Sequence, residues 1–197
     1  MSDIQLVLAS QSPRRQALLR QLGLQFVVCV ADIEEGPRPQ EPPSAYAVRM
    51  ALEKARDGAR LHGGSLPVLG ADTDVVLEGR VLGKPRDRDE GLAMLAALSD
   101  REHAVYSAVA VVQGPREITR LSVTQVRFGP IAPVTAAAYW ASGEPADKAG
   151  AYGIQGLGAQ FVREIRGSYS GVVGLPLYET VELLRAFGIA PLGGVEG

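Results

Sequence analysis

Sulfur and imidazole ligands are scarce in this chain of 197 residues, which has one cysteine and two histidines. The cysteine, Cys29, has no partner for an internal disulfide, and its position in the apolar run 26–30 predicts a buried structural thiol. His62 and His103 lie far apart in the sequence. These residue types therefore give no pattern that indicates a zinc site.

The chain also lacks a large excess of either charge and a long apolar run. A net charge of −2 argues against a protein that holds a polynucleotide, because many phosphate contacts usually require a basic surface. No apolar run approaches the length that spans a membrane, and we find no signal peptide before Ile4. We therefore expect a soluble cytoplasmic protein whose partners include neither a nucleic-acid polymer nor a membrane.

The remaining composition is that of an ordinary globular protein, with 46% hydrophobic and 21% charged residues. Apolar runs typical of strands alternate with helical patterns at first and then form a hairpin. This order predicts an α/β fold with a mixed sheet. We expect one domain over residues 1–190, built as two lobes that share a cleft, and a flexible tail over residues 191–197.

Local signals indicate where the elements begin and end. Ser44 is expected to cap a long helix, and Asp87 with Glu90 forms a capping-box spacing before another. The acidic segment 70–74 is expected to interrupt an apolar strand, because unpaired carboxylates are costly to bury. The predicted helices cover 16–22, 44–62, 92–98, 134–142 and 177–187; the predicted strands begin at Leu6 and cover 25–30, 66–77, 103–112, 117–128 and 161–165.

The first strand leads directly into a helix N-terminus that contains Ser10, Ser12, Pro13, Arg14 and Arg15. A hydroxyl at the cap and proline at the first helical position are typical of such a junction. Unpaired amides and two guanidinium groups make this segment a candidate site for a phosphate. A capped surface helix with two solvated arginines is the alternative, and this segment alone does not decide between them.

Carboxylates occur in two separate segments after strands, with Glu34 and Glu35 in the first and Asp72 and Asp74 in the second. Oxygen ligands from different loops, together with phosphates and water, are the usual way to hold Mg²⁺. A carboxylate beside a phosphate can also accept the proton of an attacking water. Asp72 is the preferred candidate because it interrupts an apolar segment, whereas Glu34 is expected to be a solvated acid.

Two lysines and one glutamine complete the candidate set. Lys84 lies in a rigid turn between glycine and proline, and Lys54 lies at the edge of the apolar face of the long helix. Either lysine can neutralise a polyphosphate, although most helical lysines are merely solvated. Gln155 belongs to the glycine-rich loop 144–156 and offers a donor and an acceptor to a nucleobase edge. A structural loop with a lone glutamine is the alternative.

Five strings of residues together resemble the Maf family of nucleoside triphosphate pyrophosphatases. The resemblance runs in order from residue 5 to about residue 188. The strings are Leu8-Ala9-Ser10-Gln11-Ser12-Pro13-Arg14-Arg15, Gly70-Ala71-Asp72-Thr73, Gly83-Lys84-Pro85, the run 144–156, and Gly167-Ser168-Tyr169 with Val172-Val173-Gly174-Leu175-Pro176.

The resemblance implies a Maf/Ham1 (ITPase-like) α/β fold, with a mixed sheet, flanking helices and a cleft between two lobes. It implies cleavage of a nucleoside triphosphate to the monophosphate and pyrophosphate with Mg²⁺ or Mn²⁺ as the cofactor. The motif at 70–73 resembles the branch that acts on dTTP and UTP, with modified pyrimidine triphosphates as further candidate substrates.

The resemblance also implies a role for each candidate residue. Asp72 is the proton acceptor and, with Glu35, the metal ligand, although Glu34 is an alternative one position away. The triphosphate is assigned to the lysines and to the loop at residues 10–15, and base selectivity is assigned to three side chains. The lysines are Lys54 and Lys84, the loop residues are Ser10 and Arg15, and the selectivity residues are Arg14, Thr73 and Gln155.

Two further hypotheses remain open at this point. A nucleotide-binding regulatory module that does not hydrolyse its ligand would use the same phosphate loop without needing Asp72 or a metal. A homodimer is also expected to be possible, because the helix that carries Tyr139 and Trp140 can supply an aromatic patch. Those rings are more often part of the core.

Overall fold

A computed structural model describes residues 4–191 of the chain. The predicted tail 191–197 lies almost entirely outside the described residues. The elements in chain order are β1 (Leu6–Leu8), α1 (Pro13–Gln21), β2 (Phe26–Val28), α2 (Pro43–His62), β3 (Val68–Leu77), β4 (Arg80–Leu82), α3 (Arg88–Leu98), β5 (Glu102–Gln113), β6 (Arg116–Phe128), α4 (Pro133–Ala141), three 3-10 segments (Glu144–Asp147, Ala149–Ala151 and Leu157–Phe161), β7 (Val162–Arg166), α5 (Tyr169–Val173) and α6 (Leu177–Ala186).

The strands form one seven-stranded mixed sheet, as the alternation of strands and helices predicts. The strand order is β2-β1-β3-β5-β6-β7, and β4 pairs with β3. β1 runs parallel to both β2 and β3, whereas β3, β5, β6 and β7 pair in antiparallel fashion. The predicted hairpin is the β5–β6 pair, whose strands are joined at residues 114–115.

One edge of β3 is left open in its middle. β1 pairs with β3 only at Val68 and Leu69, and then the chain turns into α1. β4 pairs with β3 from Val75 to Leu77 on the same edge, while β5 covers the opposite edge. Residues 70–74 therefore have no strand on this side, and they open into a cleft.

The two faces of the sheet are covered differently. On one face, small side chains of α2 pack against alanines of β5, among them Ala51 against Ala108 and Ala110. The approach is close: a Cβ on Gly70 would lie 2.2 Å from the carbonyl oxygen of Ala51. The opposite face carries the larger core, with side chains from α1, α3, α4 and α6. Gly70 is thus the position at which the backbone of α2 lies directly against β3.

Three local predictions are wrong. β3 is continuous rather than interrupted at 70–74, because the buried Asp72 carboxylate is paired with Lys54 of α2. α2 begins at Pro43 with Pro42 at the N-cap position and no side-chain cap, so Ser44 lies inside the helix. Cys29 is only half-buried, since β2 is the outer strand of the sheet.

Two predictions of helix caps are confirmed. In the second, one of the two expected hydrogen bonds has a different partner. The side chain of Ser12 caps α1 at Arg15 N, with Pro13 in the first turn. The Asp87 carboxylate accepts the Glu90 amide at 2.9 Å, as a capping box requires. The Glu90 carboxylate bonds to Arg86 rather than returning to Asp87.

The aromatic side chains of α4 belong to the interior. Tyr139 is buried, and Trp140 lies over Gly91 of α3, where an added Cβ would come within 2.1 Å of the indole. These rings therefore do not form the exposed patch considered for a dimer, and the homodimer stays a prediction. Among residues 4–191, no helix combines the length and apolar character needed to cross a bilayer.

Candidate active site

The open edge of β3 forms the floor of a cleft of about 1090 Å³. Its walls come from the β1–α1 loop, the segment after β2, α2, the turn after β4, the loop before β7, and α5. Every residue that the sequence analysis assigns to the site lines this cleft: Ser10, Arg14, Arg15, Glu35, Lys54, Asp72, Thr73, Lys84 and Gln155. The structure thus brings together side chains from six separate segments.

Lys54 joins the two assigned carboxylates. Its Nζ lies 2.6 Å from Asp72 Oδ1 and 2.7 Å from Glu35 Oε1. The Lys54 side chain is only 12% exposed, so its stem packs while its ammonium reaches the cleft. This ion pair explains how a carboxylate can stand on a strand that is otherwise apolar.

Asp74 is a second buried carboxylate on the same face of β3, two residues after Asp72. It is 7% exposed, and its Oδ2 has no hydrogen-bond partner among the described residues. Burial, followed by the negative charge of Asp72, raises the pKa of Asp74 to about 8. Asp74 is one of the four candidate acids in the sequence, but no role is predicted for it. Its spacing from Asp72 was the available signal, since residues i and i+2 of a strand share a face.

The two arginines of the first loop differ in their contacts. Arg15 donates to Gly174 O at 2.8 Å, to Ser10 Oγ at 3.3 Å and to Thr73 Oγ1 at 3.4 Å. It therefore ties the β1–α1 loop to β3 and to the end of α5. The guanidinium of Arg14 makes no hydrogen bond to any residue of 4–191 and stays available at the cleft wall.

Lys84 is exposed in the turn that follows β4. The turn is linked to the loop before β7, because Gly150 N donates to Gly83 O at 3.1 Å. Gly150 also lies against the side chain of Val75 on β3. The rigid neighbours predicted for Lys84 are therefore supported from a distant part of the chain.

Gln155 is exposed in the loop before β7, between the second and third 3-10 segments. Two sets of side-chain contacts hold this loop. Tyr152 bonds through its hydroxyl to His103 Nε2 at 2.8 Å, and Glu144 bonds to backbone amides beyond Gln155. The sequence predicts no individual role for His103, Tyr152 or Glu144, because their partners lie elsewhere in the fold.

The assigned metal ligands fit a cation that binds together with a phosphate ligand. Among the described residues, no three carboxylate, histidine or cysteine side chains are grouped as a preformed metal centre. Glu35 and Asp72 do converge on one ammonium, from different segments. Two such oxygen donors match the chemistry of Mg²⁺, which takes few protein ligands and completes its shell with phosphate and water.

The chain is similar to known proteins over nearly its whole length. The dTTP/UTP pyrophosphatase of Saccharophagus degradans is 55% identical over 185 residues, which cover 92% of this chain and 88% of that protein. The dTTP/UTP pyrophosphatase of Escherichia coli O157:H7 is 55% identical over 182 residues, with 92% of each chain covered.

A solved structure supports the architecture. The nucleoside-triphosphatase, or dITP/XTP pyrophosphatase, of Mycobacterium abscessus superposes with a TM-score of 0.50 at 21% identity, covering 93% of this chain and 94% of the other. At that identity the likeness concerns the fold alone. The family model described as Maf-like protein matches residues 5–187. The chain therefore belongs to the Maf family.

Proposed function

We propose that this protein hydrolyses dTTP and UTP to the nucleoside monophosphate and pyrophosphate. The observation that carries the proposal is the Glu35–Lys54–Asp72 cluster at the open edge of β3, beside the N-terminus of α1. The names of the relatives, at 55% identity over nearly the whole chain, support the substrate and the reaction. Modified pyrimidine triphosphates belong to the same proposal.

The triphosphate is assigned to the basic side of the cleft. At the N-terminus of α1 the backbone amide of Arg14 has no partner among the described residues, and the side chains of Arg14 and Lys84 offer positive charge that the protein does not already use. Each of the three guanidinium nitrogens of Arg15 donates to a protein atom, so we assign this side chain the role of holding the loop in place. This division of roles refines the assignment of both arginines to the ligand.

Asp72 is the proposed proton acceptor. Water attacks the α-phosphorus, the bond from that phosphorus to the α–β bridging oxygen breaks, and pyrophosphate leaves. The proton of the water passes to an Asp72 oxygen, while the ion pair with Lys54 orients the carboxylate.

A divalent cation, Mg²⁺ or Mn²⁺, is part of the proposal. Glu35 and Asp72 are the residues that would hold it. When bound, such a cation neutralises phosphate charge and favours departure of the pyrophosphate. Lys54 stands between the same two carboxylates and supplies part of that positive charge itself.

Base selectivity is assigned to Arg14, Thr73 and Gln155. The hydroxyl of Thr73 is bonded to the Arg15 guanidinium and to Gly174 O, both at 3.4 Å. It therefore lies in a fixed network at one side of the cleft. Gln155 lines the same cleft as an exposed residue. Its amide makes no hydrogen bond to any residue of 4–191, so its donor and its acceptor are both available for a base.

The decisive experiment follows the products. Purified protein is incubated with dTTP, UTP, CTP or dATP and Mg²⁺, and the products are separated by ion-exchange chromatography. We expect equal amounts of monophosphate and pyrophosphate, formed fastest from dTTP and UTP. Diphosphate with inorganic phosphate would mean cleavage at the wrong bond. Tight binding of UTP without any product would instead support the non-hydrolytic regulatory module.

A further inference from the structure

The exposed Gln155 lies between two anchored stretches of backbone. On its N-terminal side, Gly153 N donates to the hydroxyl of Tyr139 at 3.1 Å. On its C-terminal side, Leu157 N donates to Glu144 Oε2 at 2.7 Å and Gly158 N donates to Glu144 Oε1 at 3.0 Å. We call residues 153–158 the Gln155 loop.

The two anchors are one unit. The Tyr139 hydroxyl, which accepts from the loop on one side, donates to Glu144 Oε1 at 2.8 Å. Tyr139 is buried on α4, with its ring edge-on to Phe161 at 5.1 Å between centroids. A single Tyr139–Glu144 pair thus holds the backbone before and after Gln155.

Two glycines of the loop lie in close contact with the Tyr139 and Glu144 side chains. A Cβ on Gly156 would lie 2.2 Å from Glu144 Oε2, and a Cβ on Gly158 would lie 2.6 Å from the Tyr139 hydroxyl. Only glycine allows the backbone to close this tightly on the two side chains. The loop and the pair therefore fit each other at several points.

The Glu144 carboxylate is held as an acceptor. Burial opposes its ionisation, but hydrogen bonds from Gly158 N, Tyr139 and Leu157 N outweigh that cost and lower the pKa of Glu144. Hydrogen bonds to a charged acceptor are stronger than neutral ones. The pair is therefore suited to hold the loop rigidly at neutral pH.

Rigidity matters here because of what a glutamine amide can do. Its terminal group can present either oxygen or nitrogen, so a mobile glutamine accommodates both the uracil edge and the cytosine edge. Discrimination requires that the wrong base leave polar groups unpaired, which a loop free to move would avoid. The position of the Gln155 backbone therefore affects selectivity as much as the presence of its amide.

We propose that Tyr139 and Glu144 are positioning residues that set base selectivity by fixing Gln155 at the cleft wall. The inference rests on the proposed function, because it takes Gln155 to contact the base. Neither positioning residue needs to touch the substrate. Their effect reaches it through the backbone of the Gln155 loop.

The test compares kcat/KM for UTP and CTP in four variants. Tyr139→Phe removes only the hydroxyl, and we expect the UTP-over-CTP ratio to fall about tenfold, the equivalent of one hydrogen bond. Gln155→Ala should lower the ratio at least as much, and the double variant should fall no further than Gln155→Ala. Tyr178→Phe removes the hydroxyl of a tyrosine that is 75% exposed, and it should leave the ratio unchanged.

Glu144→Gln provides a second route if Tyr139→Phe does not fold, as judged by thermal unfolding. The amide keeps one acceptor oxygen but turns a donor toward the loop amides, so the ratio should fall less than in Glu144→Ala. A Tyr139→Phe enzyme that loses activity equally on UTP and CTP, or whose effect adds to that of Gln155→Ala, would overturn the positioning role.

Failure of the proposed function has a different signature. Wild-type protein that releases no pyrophosphate from UTP or dTTP would overturn the function, and the selectivity inference with it. An active wild type with unchanged selectivity in Tyr139→Phe and in Glu144→Gln would overturn the inference alone. Hydrogen exchange adds a structural readout: the amides of Gly153, Leu157 and Gly158 should exchange faster in Tyr139→Phe.

Discussion

Among the single residues, Lys54 is the side chain whose positive charge stabilises the buried carboxylate of Asp72 on β3. It is nearly buried itself and meets both Asp72 and Glu35 within 2.7 Å. A charge removed from such a pair leaves its partner buried and uncompensated, which is costly. Binding and stability are therefore coupled at this position.

Asp72→Asn is expected to lower turnover of UTP by about two orders of magnitude or more, because an amide cannot accept the proton of the attacking water. Nucleotide binding should remain detectable by calorimetry. Asp89→Asn changes a side chain that is 94% exposed and should behave as wild type. Normal turnover in Asp72→Asn would remove Asp72 from the role of proton acceptor.

Lys54→Met is expected to lower the free energy of unfolding by roughly 3 kcal/mol, because it leaves the Asp72 carboxylate without its partner. Adding Asp72→Asn to Lys54→Met should recover part of that loss. Urea denaturation measures both effects. A loss in the double variant as large as the sum of the single losses would contradict the coupling.

Lys84→Ala, like Lys54→Met, removes one positive charge from the cleft, but at an exposed position. We expect a change in unfolding free energy within about 0.5 kcal/mol, since nothing buried is left unpaired. The KM for UTP should rise several-fold, because one of the charges facing the triphosphate is lost. A variant with normal affinity and rate would remove Lys84 from the binding site.

At the scale of elements, α2 and β3 are held in direct backbone contact at Gly70. The helix carries Lys54 and the strand carries Asp72, so the ion pair depends on this separation. Ala51 and Ala55 provide the small surfaces that permit it. The geometry of the candidate site is therefore set by how closely one helix lies on one strand.

Gly70→Ala is expected to destabilise the protein by about 1–3 kcal/mol and to lower turnover, because the new methyl group would meet backbone atoms of Ala51 and Ala55 at 2.2 and 2.5 Å. Gly129→Ala is the matched control, since an added Cβ there meets no atom within 4 Å. Equal unfolding midpoints for the two variants would show that α2 can shift without cost.

At the scale of the whole molecule, His103 connects parts of the chain that the sequence separates. It lies on β5, packs edge-on against Phe128 of β6 at 4.9 Å, and bonds to Tyr152 of the loop before β7. Burial lowers the pKa of His103 to about 4. Protonation of the His103 ring therefore lowers the free energy of unfolding of the whole protein.

The free energy of unfolding depends on pH because His103 has a lower pKa in the folded protein than in the unfolded chain. Between pH 4 and 6.5 the unfolded chain binds a proton at His103 that the folded chain does not, so stability falls as the pH drops through this window. Relative to His103→Gln, wild type should lose roughly 2–3 kcal/mol between pH 7 and 4.5. His62→Gln, at an exposed histidine, should follow wild type. Parallel curves for wild type and His103→Gln would contradict the buried neutral ring.

The features that depend on neighbouring residues can be predicted from the amino-acid sequence. Ser12 with Pro13 starts α1, Asp87 starts α3, and the β-rich runs around residue 114 form the hairpin. The motif strings also indicated the family and the side chains that line the cleft. Each of these depends on chemistry within a few residues, which periodicity and capping rules describe.

The separate roles of those side chains, in contrast, depend on contacts that form only in the folded protein. Arg15 is committed to Gly174, which lies 159 residues away, so Arg14 is the arginine left for a ligand. β3 stays continuous because Lys54 reaches its acid from another element. Tyr139, for which the sequence left open either an exposed patch or a place in the core, is buried and anchors the Gln155 loop. Such roles depend on partners that only folding brings within bonding distance, so the local sequence does not predict them.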